Sequence, residues 1–162
     1  MVTKLPTDLT LAPLDGQPRD LEEWLTTFHL ASVVLDPYTN ESSWLLKTAV
    51  RILEELRGSH ARVNFIVTAR AEDTRTFLGP LADEFLVFCD PDRSVVTAMG
   101  LTQLPAFVFI RVDAEAVAIA EGWNADEWRE VAEAVAATTS WRAPTIPAPG
   151  DPGPFAGSPA LG

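Results

Sequence analysis

Apolar runs and amphipathic stretches alternate along most of this chain, and their periods predict its elements. "DLTLA" (8–12) reads as a short edge strand and "DGQP" (15–18) as a turn. Asp20 is placed to cap a helix, "LEEWLTTFHL", that would bring Leu21, Trp24, Leu25 and Phe28 onto one face. "SVVL" (32–35) is short, apolar and β-branched, the pattern of a buried parallel strand. "SWLLKTAVRILEELRG" then carries an apolar stripe of Leu45, Leu46, Ala49, Ile52, Leu53 and Leu56, with Gly58 where a C-terminal cap belongs. "RVNFIVTA" (62–69) reads as a second buried strand, followed by a helix from about Glu72 to Asp83, and "FLVF" (85–88) as a third strand ending at Cys89. In "DPDRSVVTAMGL" an Asp cap, Pro91 at the first helical position and Gly100 past the end outline another helix. "PAFVFIRV" and "AVAIAEG" flank a "DAE" turn as an antiparallel hairpin, and "NADE" opens a last helix as a capping box of Asn124 and Glu127, running to about Ala137.

Repeated βα units that feed a closing hairpin and helix predict an α/β domain, a mostly parallel central sheet with helices on both faces. A single domain over residues 1–141 is expected for a chain of 162 residues. Beyond Trp141 the composition changes. The segment 142–162 has six prolines and two charged residues, and is expected to be a disordered Pro/Gly-rich tail because it offers little apolar surface against its ordering entropy.

Charge narrows the partners. A formal net charge of −11, with no Lys/Arg cluster, argues against nucleic acid and against anionic membrane. The single cysteine, Cys89, permits no internal disulfide, and with only His29 and His60 beside it a Cys/His metal site lacks ligands. No cofactor motif appears. Neither a signal-peptide run nor about 18 consecutive apolar residues occurs, so a cytoplasmic location is expected. Nothing in the pattern sets an oligomeric state. "NES" (40–42) fits a glycosylation acceptor, a triplet frequent by chance and here without a secretory signal.

The order of elements, with "GLTQLPAFVFI", resembles the thioredoxin-like superfamily, in which a glycine ends a helix and a cis-proline opens the first hairpin strand; Pro105, preceded by Leu104, stands at that proline. "LTLAPLDGQPRDLEEWL" and "FLVFCDPDRSVVTAMGL" are similar to segments of the redoxin branch, the AhpC/TSA- and TlpA-like proteins that include peroxiredoxins, and the likeness spans about residues 8–138. The resemblance implies a three-layer thioredoxin-like sandwich. It also implies reactive cysteines at the elbow after the second strand, and there the chain departs from the family. The elbow reads "DPYTNESS", and the two cysteine positions fall on Thr39 and Ser42 or on Asn40 and Ser43. The family's chemistry needs a thiolate held by a helix N-terminus, and a hydroxyl cannot supply one. Cys-x-x-Cys disulfide exchange is therefore excluded.

Three readings of function remain. Thr39, Asn40, Ser42 and Ser43 are good helix caps and Glu41 suits a first turn, which accounts for the elbow structurally. In relatives, the groove between elbow and cis-proline holds an extended peptide through main-chain bonds to the residue before the proline. By that resemblance Tyr38, Thr39, Asn40, Glu41, Ser42, Gln103, Leu104 and Pro105 would form a protein- or peptide-binding groove in a redox-inactive protein. Cys89 reads most simply as a small hydrophobe of the core; alternatively it alone performs peroxide or mixed-disulfide chemistry, with Asp90, Asp92 and burial expected to raise its pKa and the following helix N-terminus to lower it. A third reading is a structural subunit recruited through its tail or acidic surface. Trp24, Trp44, Trp123 and Trp128 read as packing residues, with Trp44 placed to flank the groove.

Overall fold

The computed structural model describes residues 2–162. In chain order the strands are β1 (Thr3–Lys4), β2 (Thr10–Pro13), β3 (Arg19–Asp20), β4 (His29–Leu35), β5 (Ala61–Val67), β6 (Leu86–Cys89), β7 (Gln103–Leu104), β8 (Ala106–Ile110), β9 (Glu115–Glu121) and β10 (Ser158–Pro159). The helices are α1 (Leu21–Trp24), α2 (Asn40–Leu56), α3 (Ala71–Leu78), α4 (Leu81–Glu84), α5 (Ser94–Met99) and α6 (Ala125–Thr139). Eight strands form one sheet in the order β1-β9-β8-β4-β5-β6-β2-β3, and β7 and β10 pair separately.

Strand alternation divides the core in two. Ala31, Val33 and Leu35 of β4, with Phe107 and Phe109 of β8, face one side. There they meet Leu45, Ala49, Ile52, Leu53 and Leu56 of α2 and Trp128, Val131, Ala132 and Val135 of α6. The alternate residues Leu30, Val34, Ala106, Val108 and Ile110 face the other side, against Leu21 and Trp24 of α1 and Val95, Val96 and Met99 of α5. Helices thus cover both faces of a thioredoxin-like α/β fold.

The sheet is mixed, not mostly parallel. Only β4–β5 and β5–β6 run parallel; β2 returns antiparallel onto β6, and the hairpin and β1 make the other edge antiparallel. The first predicted helix is also shorter than its apolar spacing implied. It stops at Trp24, and His29 to Ala31 join β4, because strands on both sides offer ladder partners there: His29 pairs with Ala61, and Leu30 with Ile110. The helix expected over 72–83 divides at Gly79–Pro80. Gly79 takes φ +57°, and Pro80 has no N–H with which to continue the ladder.

The segment "DPD" sits outside its helix. Arg93, in the left-handed region at φ +60°, precedes Ser94, and Pro91 belongs to the turn before it. Asp90 still caps, from four residues upstream of the helix: its carboxylate accepts the N–H groups of Val95 and Val96, both at 3.1 Å. Gly100 ends α5 in the left-handed conformation, and Asn124 accepts the Glu127 N–H at 3.2 Å. Among the described residues no helix is long and apolar enough to cross a membrane.

The Pro/Gly-rich segment 142–162 follows the body of the domain in the structure. It returns across α2, α6 and the hairpin and is held by polar side chains of the body, which a composition argument about apolar surface does not count. Arg51 donates to the Thr145 carbonyl and pairs with Asp151 at 2.8 Å; Thr48 donates to Asp151; Arg129 donates to the Ile146 carbonyl. Trp123 Nε1 donates to the Pro152 carbonyl at 2.7 Å, and Ile146 is buried.

Removing the α6 cap tests this local account. Asn124→Ala deletes the acceptor of the Glu127 N–H and is expected to lower unfolding stability by about 1 kcal/mol in a denaturant titration, with the slope unchanged.

Candidate functional site

The elbow folds inward on itself. The Asp36 carboxylate, almost fully buried, accepts the Tyr38 N–H at 3.0 Å through Oδ1. Thr39 is the N-cap of α2 by backbone, but its hydroxyl donates back to the Asp36 carbonyl at 2.9 Å and does not bond the helix N–H groups. Ser42 is fully enclosed, and its Oγ accepts the Asp36 N–H at 2.9 Å. Of the residues expected to line a groove, Ser42 is therefore a brace of the turn. Asn40 is exposed in the first turn of α2, with Glu41 partly exposed beside it. Tyr38 projects into solvent, and its hydroxyl donates to Asp73 of α3, the bond that raises its pKa most.

Across from the elbow, Leu104 and Pro105 are joined by a cis peptide. Leu104 is fully enclosed and Pro105 buried, and Gln103 is half-buried with its N–H on Glu121 Oε1 at 3.2 Å. Thr102 gives its N–H to the same oxygen at 2.5 Å, so the Glu121 carboxylate fixes the loop before the proline. Pro105 accepts the Gly122 N–H at 2.8 Å.

What lies against this turn is the chain's own C-terminal segment. Ser158 pairs with Leu104 and Pro159 with Gln103 in antiparallel register. Ser158 Oγ donates to the Leu104 carbonyl at 3.3 Å, and the Ala160 N–H donates to the Thr102 carbonyl at 3.0 Å. Phe155 exchanges both backbone bonds with Trp123, at 2.8 and 3.0 Å, and its ring meets Trp44 edge-on at 5.7 Å. Trp44, 57% exposed, stands against Phe155, whereas Trp24, Trp123 and Trp128 are buried.

One residue joins the elbow to this segment, and the sequence reading missed it. Arg93 pairs with Asp36 Oδ2 at 2.9 Å and also donates to the Ala160 carbonyl. Its signal was faint: a lone arginine after "DPD", with no neighbour in sequence to suggest that its partner lies 57 residues upstream.

Cys89 ends β6, opposite Ala12 of β2 and Val67 of β5, and its Sγ lies 3.8 Å from Thr74 Oγ1. Burial pushes the thiol pKa up most strongly, against smaller lowering by Thr74 and Arg75, and Asp15 adds to the rise. Of the expected influences burial acts, whereas Asp90, Asp92 and a helix N-terminus are not among those that do. Asp90 is turned toward the N–H groups of α5 and occupies them, and Asp92 accepts from Ser94. Burial raises the Asp90 carboxyl pKa despite those N–H bonds. His29 stands at the opposite end of β4 from the elbow, its Nδ1 accepting the Val112 N–H at 3.1 Å. Among the described residues no group of three or more His, Cys, Asp or Glu is placed to hold a metal ion.

No family model matches the chain, and no curated protein does. Solved structures do. The chain is similar to Mycobacterium tuberculosis DsbF at 18% identity, over 81% of this chain and 98% of that one, with a TM-score of 0.62. It is similar to peroxiredoxin Q of Xanthomonas campestris at 14% identity, over 85% and 96%, with a TM-score of 0.65. A hypothetical protein of Sinorhizobium meliloti matches at 14% identity over 99% of this chain and 94% of its own, with a TM-score of 0.70. At such identities the likeness is one of fold. The chain has the thioredoxin-like fold of the DsbE-like and peroxiredoxin structures, and it carries that fold with a single cysteine, Cys89, which lies outside the elbow.

Proposed function

We propose that this is a redox-inactive thioredoxin-like protein that binds an extended peptide, by strand addition, in the groove between the elbow and the Leu104–Pro105 turn. The observation that carries the reading is the antiparallel pairing of Ser158–Pro159 with Gln103–Leu104: an extended segment already sits along the residue before the proline. Strand addition draws its affinity from main-chain bonds and its selectivity from the side chains at alternate positions. It needs no thiol. Gln103, Leu104 and Pro105 supply the edge, and Thr39, Asn40, Glu41 and Tyr38 form the opposite rim, with Ser42 holding that rim from beneath.

Two arguments support redox inactivity. A Cys-x-x-Cys dithiol cycle requires a second thiol in the chain, and there is one cysteine. Single-thiol chemistry requires a thiolate, and burial of Cys89 disfavours that form.

Two measurements test the reading. Random extended peptides selected on a chain whose terminal segment is displaced (Gly157→Ala) are expected to shift the amide resonances of Thr102, Gln103 and Leu104. If the terminal amides have moved and still no peptide perturbs those three, the groove is not a binding site. Separately, iodoacetamide labelling of native Cys89 is expected to be slower than in the unfolded chain at every pH, with its midpoint displaced upward. A native midpoint below the unfolded one would restore Cys89 as a redox centre.

A further inference from the structure

Building on that reading, we infer that residues 157–160, Gly-Ser-Pro-Ala, are a resident copy of the groove's ligand: the protein takes uncharged extended segments of this pattern from another protein, and its own C-terminal segment competes with them. The inference rests on what each position meets.

Gly157 lies where a side chain does not fit. At φ +93°, a Cβ there would stand 2.6 Å from the Leu104 carbonyl oxygen and 3.2 Å from Gly122 Cα. The body mirrors this requirement. A Cβ on Gly122 would stand 2.4 Å from the Ala156 carbonyl oxygen, so the wall of the groove is itself bare where a chain must pass close. Ser158, mostly enclosed, uses its hydroxyl on the Leu104 carbonyl. Pro159 fits because of the ladder's parity. The Ala160 N–H points at Thr102, so in an antiparallel pair the nitrogen of the preceding residue points away from β7, and a residue without N–H sacrifices no bond. Ala160 is enclosed by the apolar cluster that contains Val95, Val96 and Leu104, where a larger or charged side chain has no place. Its carbonyl is read by Arg93, whose charge is answered by Asp36 of the elbow. Leu161 is already in solvent. The segment 154–162 has no charged side chain, so a ligand of the same kind enters this strongly acidic protein without charge repulsion.

The occupant is divided from its anchor. Asp151, Ile146 and Pro152 are fastened by Arg51, Thr48, Arg129 and Trp123, whereas Gly157 to Ala160 are held by the two-residue pairing, the Thr102 bond and Arg93. Pro152-Gly153-Pro154 lies between. Release of the last residues therefore leaves residues 145–152 in place. A tethered competitor acts at an effective concentration on the order of millimolar, so it weakens a ligand in trans without abolishing its binding.

The test uses the full chain and the free nonapeptide corresponding to residues 154–162, with Kd from titration calorimetry and location from the amides of Thr102, Gln103 and Leu104. Gly157→Ala forces its own segment off Leu104; Ala160→Glu does so independently by placing a carboxylate in the apolar site. Both are expected to bind the nonapeptide about tenfold or more tighter than the wild-type chain, as removal of a competing closed state requires. A nonapeptide that itself carries Gly157→Ala is expected to lose that binding. Equal Kd for wild type and both variants overturns the competition, as does undiminished binding of the altered nonapeptide. Selected peptides of unrelated pattern at Leu104, with no binding of the nonapeptide, overturn this inference and leave the groove reading intact. Wild-type dimers in sedimentation that Gly157→Ala abolishes would seat the segment in a second copy and overturn competition within one chain.

Discussion

A buried edge strand without a sheet is the constraint on which this site depends. β7 is two residues long, lies outside the eight-stranded sheet, and carries a fully enclosed leucine. Backbone groups in such a place must find partners, because leaving a buried N–H or C=O unpaired costs about as much as a lost hydrogen bond. Glu121 takes the N–H groups of Thr102 and Gln103, and the carbonyls of Thr102 and Leu104 take donors from Ala160 and Ser158. The edge is thus complete only when an extended segment lies along it. In the structure that segment is the chain's own residues 158 and 159.

The buried pair of Asp36 and Arg93 connects that segment to the elbow. A buried carboxylate alone would be costly, and Asp36 is compensated by the Tyr38 N–H on one oxygen and Arg93 on the other. Arg93 in turn reaches the Ala160 carbonyl, so the same guanidinium fixes the elbow and reads the strand. This arrangement also explains the inward-facing hydroxyls. Thr39 and Ser42 bond the carbonyl and the N–H of Asp36, and so hold the residue that orients Arg93.

Much of the fold was legible, because its signals are local. The stripe on α2, the left-handed Gly100, the Asn124 cap and the hairpin around "DAE" each follow from a few adjacent residues. Strand direction was less so. The parallel reading counted βα repeats, whereas β2 joins the sheet from the far side of its sequence neighbours, a long-range pairing that no local period encodes. Phe28 kept helical spacing with Leu21 and Trp24, yet the chain beside it was drawn into β4 by partners on both sides. Pro80 was a readable stop that the apolar pattern around it obscured. At the site, the turn residues Leu104 and Pro105 were legible and Arg93 was not, since its two partners come from opposite ends of the chain. The contacts of the tail were illegible for a similar reason: its polar partners are Arg51, Thr48 and Arg129 of the body.

The thioredoxin-like fold joins two separable devices at one end of its sheet. One is electrostatic, a helix N-terminus that stabilises a thiolate; the other is geometric, an exposed run of backbone before a proline. This chain has no cysteine at the elbow, and an extended segment lies along Gln103 and Leu104. At the elbow Thr39 and Ser42 bond the backbone of Asp36, so these two hydroxyls serve the turn. At β7 the groups turned toward the groove are main-chain carbonyls, which carry no reactivity and recognise only the extended conformation and the space around it. Glycine at 122 and 157 supplies that space. What passes between Leu104 and Gly122 lacks a side chain at one position, Gly157, and a charge three positions later, at Ala160. Space and the absence of charge are thus what the contacts of residues 157 to 160 have in common.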